Sequence, residues 1–307
     1  MSGLSGAAVV PAERLLVGCD FSSSPSRKKP IVLALGRLLG KHIVLSKIER
    51  FTALDVLGDW LLDSPGRLAD SGLPAAPRHW LGVFDLPFGL PRELVLALGW
   101  PVDWLACVQH FCALDRDDIR AQFRAFCAAR PAGGKFAHRA TDRPAGSSPS
   151  MKWVNPPVAF MLHAGVPQLL RSGAELPGLY AGSAANRDAQ GLSRRVALEG
   201  YPGLLAREVL GRTSYKSDDR AAQTPQRLIA RKDLITALET GQTRLDLFLR
   251  LSHAQRDALV DDASGDSLDA VLCLVQAAWA ERRWRAGDAR FGLAPDMDPL
   301  EGWIVTA

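Results

Sequence analysis

Three acidic residues stand at the ends of short apolar runs that are typical of β-strands. Asp20 ends RLLVGCD, Asp85 ends HWLGVFD and Glu199 ends RRVALE. In open α/β sheets, ligands bind beyond the carboxyl ends of the strands, so we expect these carboxylates to share one edge of a sheet. Crowded carboxylates repel one another unless a cation neutralises them, and the three positions therefore predict a cation site.

Two further acidic residues, Asp266 and Asp269, begin a helical segment in the sequence GDSLDAVLC. Residues spaced i and i+3 lie on one face of a helix. The rest of this segment is apolar nearly all round, which predicts a buried helix whose carboxylates need partners. Hard oxygen ligands favour Mg²⁺ or Mn²⁺ over softer metals. The expected metal ligands are Asp20, Asp85, Asp266 and Asp269.

Each of these carboxylates also has a simpler interpretation. Asp20 and Asp85 stand in turn sequences, where an Asp side chain commonly bonds the backbone. The two Asp residues of the helix start occupy positions that favour Asp through capping and the helix dipole. Glu199 can pair with the neighbouring Arg194 or Arg195. Taken together the simpler interpretations weaken, because acidic residues end three strands and begin one buried helix.

The elements that must position these residues predict an α/β fold. Strand-like runs with short links cover 14–20, 31–36 and 42–48, which indicates an antiparallel meander. A helix at 52–63, a strand at 79–85, a helix from 93 and a strand at 194–199 follow. We therefore expect a mixed five-stranded sheet, with three antiparallel strands and then two strands that follow helical crossovers.

The remaining sequence is mainly helical. Residues 101–190 show no repeating βα pattern and predict a helical and loop insertion, with helices at 104–114 and 117–129 and a loop at 130–157. Four further helices are predicted at 204–210, 225–239, 244–251 and 266–285. Residues 1–307 are expected to form a single domain that contains this insertion.

Several motifs together resemble a known family. They are VGCDFS (17–22), VFDLPFGLP (83–91), HRATD (138–142), LEGYP (198–202), Lys216, GDSLDAVLC (265–273) and LEGWI (300–304). The chain is similar, from about residue 15 to its C-terminus, to the family called domain of unknown function 429. Members of that family are described as predicted nucleases with a ribonuclease-H fold.

This resemblance implies a ribonuclease-H-like sheet and assigns roles to residues of this chain. Asp20 corresponds to the first-strand metal ligand, Asp85 to the fourth-strand carboxylate, and Asp266 or Asp269 to the helix carboxylate. The family pattern also includes Glu199, Arg139, Asp142 and Lys216. The chain departs from such folds after Asp20, where Phe21-Ser22-Ser23 stands in place of a nearby glycine.

Metal-dependent hydrolysis of a nucleic-acid phosphodiester is the first functional hypothesis. Metal ions activate water and stabilise the charge of phosphoryl transfer, while Lys216 and Arg139 are expected to steady the phosphate. The expected catalytic residues are Asp20, Asp85, Glu199, Asp269 and Lys216. The expected substrate-binding residues are Arg139, His138 and Ser22.

Two other functions remain open. The chain can be a non-catalytic protein that binds nucleic acid or a partner through its basic segments 115–153 and 205–256. It can also be an actin-like nucleotide-binding phosphotransferase, with Ser22–Ser24 cradling a phosphate. Metal-independent binding with steep salt dependence distinguishes the former, and saturable ATP binding distinguishes the latter.

Composition agrees with a soluble enzyme. The 307 residues are 47% hydrophobic and 23% charged, with a net charge of +4. The five cysteines include no CxxC pair, which argues against a structural zinc site. No run is long and apolar enough for a membrane span or a signal peptide, so we expect a cytoplasmic location. The sequence leaves open DNA or RNA as substrate, and the oligomeric state.

Overall fold

The computed structural model of the chain describes residues 14–62 and 79–307, with a mixed six-stranded sheet at its centre. The order across the sheet is β5-β4-β1-β2-β3-β6. β1 pairs antiparallel with β2, and β2 with β3; the pairs β1–β4, β4–β5 and β3–β6 are parallel. The strands are β1 (Leu15–Asp20), β2 (Ile31–Leu39), β3 (His42–Phe51), β4 (Trp80–Asp85), β5 (Arg195–Glu199) and β6 (Phe248–Arg250).

The first five strands follow the predicted order, with an antiparallel meander and then two strands after helical segments. The predicted strand count is wrong, because β6 lies where a helix was predicted at 244–251. Buried Leu245, Leu247 and Leu249 alternate with more exposed residues, which is the period of a strand. Asp246 has a φ of 52°, which is incompatible with a helix interior, and the strand pairs with the beginning of β3.

Helices cover both faces of the sheet. They are α1 (Leu54–Leu62), α2 (Arg92–Ala97), α3 (Trp104–Ala113), α4 (Arg116–Ala128), α5 (Asp142–Ala145), α6 (Val158–Arg171), α7 (Pro202–Leu210), α8 (Pro225–Glu239), α9 (His253–Asp261) and α10 (Asp266–Arg285). The predicted helices at 104–114, 117–129, 225–239 and 266–285 are confirmed. α6 was not predicted, since Pro167 inside it obscures the helical pattern.

The alternation of β1 separates two hydrophobic cores. Leu15, Val17 and Cys19 pack in one core, with residues of α1–α4 and α6. Leu16 packs in the other core, with residues of α7–α10. Even-numbered positions of β1 therefore face the C-terminal helices, and Asp20 continues that face.

Helix α10 lies directly on the sheet and contacts β1, β2 and β4. Gly18 permits this close approach, because a Cβ atom there would lie 2.0 Å from the carbonyl oxygen of Ala270. The apolar residues of α10 are buried, as predicted. This packing brings the start of α10 to the end of β1 where Asp20 stands. Among the described residues, no helix is long and apolar enough to span a membrane.

Candidate active site

A cleft of about 770 Å³ opens at the carboxyl ends of β1, β4 and β5. Asp20 and Asp85 lie side by side in it, because β1 and β4 are parallel and these two residues are directly aligned. Asp266, at the start of α10, lines the same cleft. The structure thus brings together three of the four predicted ligands in one concave site.

The carboxylates of Asp20 and Asp85 are partly buried and have no hydrogen-bond or ion-pair partner within residues 14–62 and 79–307. Burial raises the pKa of Asp20 well above its usual value, and the charges of Asp269 and Asp85 raise it further. Burial, together with the smaller effect of the negative charge of Asp269, raises the pKa of Asp85 to about 7, while the positive charge of Lys216 opposes the shift. Two unpaired carboxylates in such surroundings are suited to bind a cation.

Asp269 is fully buried, and both of its oxygens are bonded inside the protein. The Tyr215 hydroxyl donates to Oδ1, and the Lys216 ammonium donates to Oδ2 in an ion pair. Lys216 itself lines the cleft. Burial by itself would lower the pKa of Lys216, but the charges of Asp269 and Asp20 override it and raise that pKa. Lys216 therefore places a fixed positive charge beside the open carboxylates.

The segment that carries Lys216 is bonded to its surroundings on both sides. The Arg231 guanidinium donates to the carbonyl of Tyr215 at 2.8 Å, and the Ser217 amide donates to the carbonyl of Ala263 at 3.0 Å. Gly265, with a φ of 79°, leaves room for the aliphatic chain of Lys216, because a Cβ there would lie 2.7 Å from the lysine Cβ. The position of Lys216 is thus set before any ligand binds.

Asp262, which was not predicted as a site residue, provides hydrogen-bond acceptors for backbone amides at the start of α10. Its carboxylate accepts hydrogen bonds from the Ser267 amide at 2.9 Å and the Gly265 amide at 3.3 Å. The N-cap residue of α10 is Gly265, which offers no side chain for capping. Burial and the charge of Asp262 raise the pKa of Asp266, which is left facing the cleft. The simpler capping interpretation therefore fits Asp262 rather than Asp266.

Glu199 departs from the predicted carboxylate cluster. It is aligned with Phe84, one residue before Asp85, so its side chain leaves the opposite face of the sheet. There Arg139 donates to both oxygens of Glu199, at 2.6 and 2.8 Å, and the Phe88 amide donates at 2.9 Å. Burial raises the pKa of Glu199 despite this pairing. Glu199 supports one side of the cleft and has no free oxygen for a metal ion.

Arg139 joins this ion pair to a second carboxylate. Its guanidinium also bonds Asp142 at 2.9 Å, and all three side chains are buried. Burial alone would lower the pKa of Arg139, but Glu199 and Asp142 raise it. His138, next to it in sequence, is exposed and lines a separate cavity of about 360 Å³. The structure therefore does not bring His138 together with the carboxylates of the main cleft.

Cationic and hydroxyl side chains surround the open carboxylates. Lys29 and Arg116 line the cleft together with Lys216 and Ser22. Arg116 also bonds the Ser23 carbonyl at 3.3 Å, which connects α4 to the loop after β1. Lys29 and Arg116 were not predicted as site residues. The only sequence signals for them are the Lys-rich turn after β1 and the basic segment that begins α4.

The donor atoms fit a hard divalent cation. Across the part of the chain that the structure describes, no group of three or more His, Cys, Asp or Glu side chains is arranged to hold a metal ion. The aligned pair Asp20 and Asp85 still offers carboxylate oxygens that have no partner among residues 14–62 and 79–307. Mg²⁺ typically binds through one or two carboxylates, several waters and substrate phosphates, so this pair suits it.

The resemblance to the domain of unknown function 429 rests on the short sequence motifs alone. No family model, curated protein or solved structure matches this chain. The cleft and its residues are therefore the basis for assigning a function.

Proposed function

We propose that this chain is a metal-dependent hydrolase of nucleic-acid phosphodiesters, built on a ribonuclease-H-like sheet. One observation carries the proposal. The carboxylates of Asp20 and Asp85, which have no partner in the described part of the chain, lie together in a cleft whose sides carry Lys29, Arg116 and Lys216. Unpaired carboxylates attract a metal ion, and the surrounding cations attract a polyanionic substrate.

The sheet supports the fold assignment. β1, β2 and β3 form the antiparallel part, and β4 and β5 extend it in parallel beside β1. The same arrangement is implied by the resemblance to the domain of unknown function 429, and β6 adds a short strand at the far edge. Because one fold serves many functions, the chemistry rests on the residues of the cleft.

Asp20 and Asp85 would hold Mg²⁺ or Mn²⁺, with Asp266 beside them. Such an ion, when bound, supplies an activated water and neutralises charge on the phosphate. Lys216 places its ammonium next to these carboxylates, where it can donate to a phosphate oxygen. The Arg139–Glu199 ion pair keeps the neighbouring side of the cleft in place.

The backbone phosphates of the substrate have nearby donors. The Ser22 hydroxyl and the Arg116 guanidinium line the cleft on the side of the loop after β1. Phosphate contacts of this kind bind and orient nucleic acid without reading its sequence. We therefore expect binding that weakens steeply with salt concentration.

The test is cleavage of labelled single-stranded and double-stranded DNA and RNA oligonucleotides, with Mg²⁺, with Mn²⁺ and with EDTA. We expect metal-dependent cleavage that Asp20→Asn abolishes while circular dichroism and unfolding remain those of a folded protein. Asp296→Asn, at an exposed carboxylate outside the cleft, is the matched control. If Asp20→Asn cleaves as fast as the wild type, the assignment of Asp20 as a metal ligand of a hydrolase is wrong. Salt-sensitive, metal-independent binding without turnover would favour the non-catalytic alternative.

A further inference from the structure

The buried carboxylate of Asp269 differs from the open carboxylates beside it. Its Oδ1 accepts from Tyr215 and its Oδ2 accepts from Lys216, so no oxygen is left for direct coordination without displacing one of them. Asp20 and Asp85 have no such partner within the described ranges. Three of the four predicted ligands therefore divide into an open pair, Asp20 and Asp85, and one, Asp269, that an internal cation already neutralises.

The charges of Asp20, Asp85, Asp269 and Lys216 together balance one divalent ion. When ionised, Asp20, Asp85 and Asp269 carry three negative charges, and the ammonium of Lys216 leaves two. Asp266 lines the cleft beside Lys29, whose ammonium pairs with Asp218 at 2.9 Å. A second divalent ion beside Lys216 would exceed the negative charge of this group and would be repelled by the ammonium.

The ammonium is held in place by the fold. Lys216 packs against Gly265, and the backbone on either side of it is bonded through Arg231 and Ala263. Its charge is therefore fixed at the carboxylate that a second metal ion would need. A fixed cation of this kind stabilises developing phosphate charge without reorganisation.

We infer that this cleft binds a single divalent cation between Asp20 and Asp85, and that the Lys216 ammonium takes the place of a second metal ion. The inference rests on the proposed function and specifies how that site is built. Lys216 contributes a localised positive charge for a phosphate oxygen, and Asp269 with Tyr215 positions Lys216.

The experiment is a Mn²⁺ titration of the full chain, read by the electron paramagnetic resonance signal of free Mn²⁺ and by calorimetry. We expect one Mn²⁺ per chain in the wild type and a loss of at least tenfold in affinity in Asp20→Asn. Lys216→Ala frees Oδ2 of Asp269, so two Mn²⁺ should bind at saturation. Lys232→Ala, at an exposed lysine of α8 outside the cleft, is the matched control and should keep one.

The outcomes separate this inference from the proposed function, since oligonucleotide cleavage is measured independently. Two Mn²⁺ in the wild type would overturn the inference and leave the hydrolase proposal standing. One Mn²⁺ without any cleavage would support the inference and count against the hydrolase. An absence of Mn²⁺ binding would overturn both. A single Mn²⁺ in Lys216→Ala would overturn the role of Lys216. Lys216→Met, which has a similar length and no donor, tests the same role if the alanine variant does not fold.

Discussion

Replacing Asp85 with Asn should stabilise the metal-free protein at pH 8, although the change removes a proposed metal ligand. Burial and the charge of Asp269 raise the pKa of Asp85 to about 7, so the folded protein holds an unfavourable carboxylate charge at pH 8. Asn has nearly the same shape and no charge. The substitution therefore removes an electrostatic penalty that a bound cation would otherwise relieve.

The magnitude follows from linkage. An unfolded Asp has a pKa of about 3.9, and each pKa unit corresponds to about 1.4 kcal/mol, so a folded pKa of about 7 gives a penalty of about 4 kcal/mol at pH 8. Because the folded pKa is raised, the contribution of Asp85 to stability is complete below about pH 4 and is lost as the pH rises through about 7. Partial exposure to water makes about 4 kcal/mol an upper limit.

Urea unfolding in EDTA at pH 5 and pH 8 measures this effect. We expect the stability advantage of Asp85→Asn at pH 8 to shrink by more than half at pH 5. Asp296→Asn, at an exposed carboxylate outside the cleft, is the matched control. Addition of Mg²⁺ at pH 8 should stabilise the wild type and not Asp85→Asn. If the free energy of unfolding differs between wild type and Asp85→Asn by the same amount at pH 5 and pH 8, the reasoning is refuted.

Three further results are expected. Arg139→Leu leaves Glu199 and a second carboxylate buried without their cation, so chemical unfolding should show a loss of about 3–5 kcal/mol; a loss below 1 kcal/mol would contradict the buried ion pair. Gly18→Ala forces a Cβ atom against the backbone of α10 and should lower the free energy of unfolding by about 3 kcal/mol. An unchanged free energy of unfolding would contradict the close packing of α10 on β1. Mn²⁺ affinity should rise between pH 5 and pH 8, because Asp85 must lose its proton to bind; a calorimetric titration that is flat across this range would count against Asp85 as a ligand.

Much of the sheet follows from local sequence patterns. The first five strands are runs of Ile, Val and Leu between turns, and the predicted order agrees with the structure. β6 was missed because it is only three residues long and stands between helices. Its alternating leucines, Leu245, Leu247 and Leu249, carry the signal that was overlooked. Short strands depend on a neighbour for pairing, which local pattern alone does not reveal.

The site was predictable in part, from the ends of β1 and β4 and from the start of α10. Asp20 and Asp85 were found because each directly ends an apolar run. The partners of the other acidic residues come from distant parts of the chain, since Lys216 reaches Asp269 and Arg139 reaches Glu199 only after folding. One sequence contains no direct signal for such contacts, so the division between open and neutralised carboxylates required the structure.

The alignment of β4 and β5 has a consequence for how such a site can change. Glu199 and Asp85 differ by one position in the pairing of their strands, and that single step decides which face each side chain occupies. Parity along the strand, rather than residue type, therefore distinguishes an open carboxylate from a structural ion pair here. A one-residue insertion within β5 would turn the Glu199 side chain to the face that Asp85 occupies. A two-residue insertion would leave it on its present face.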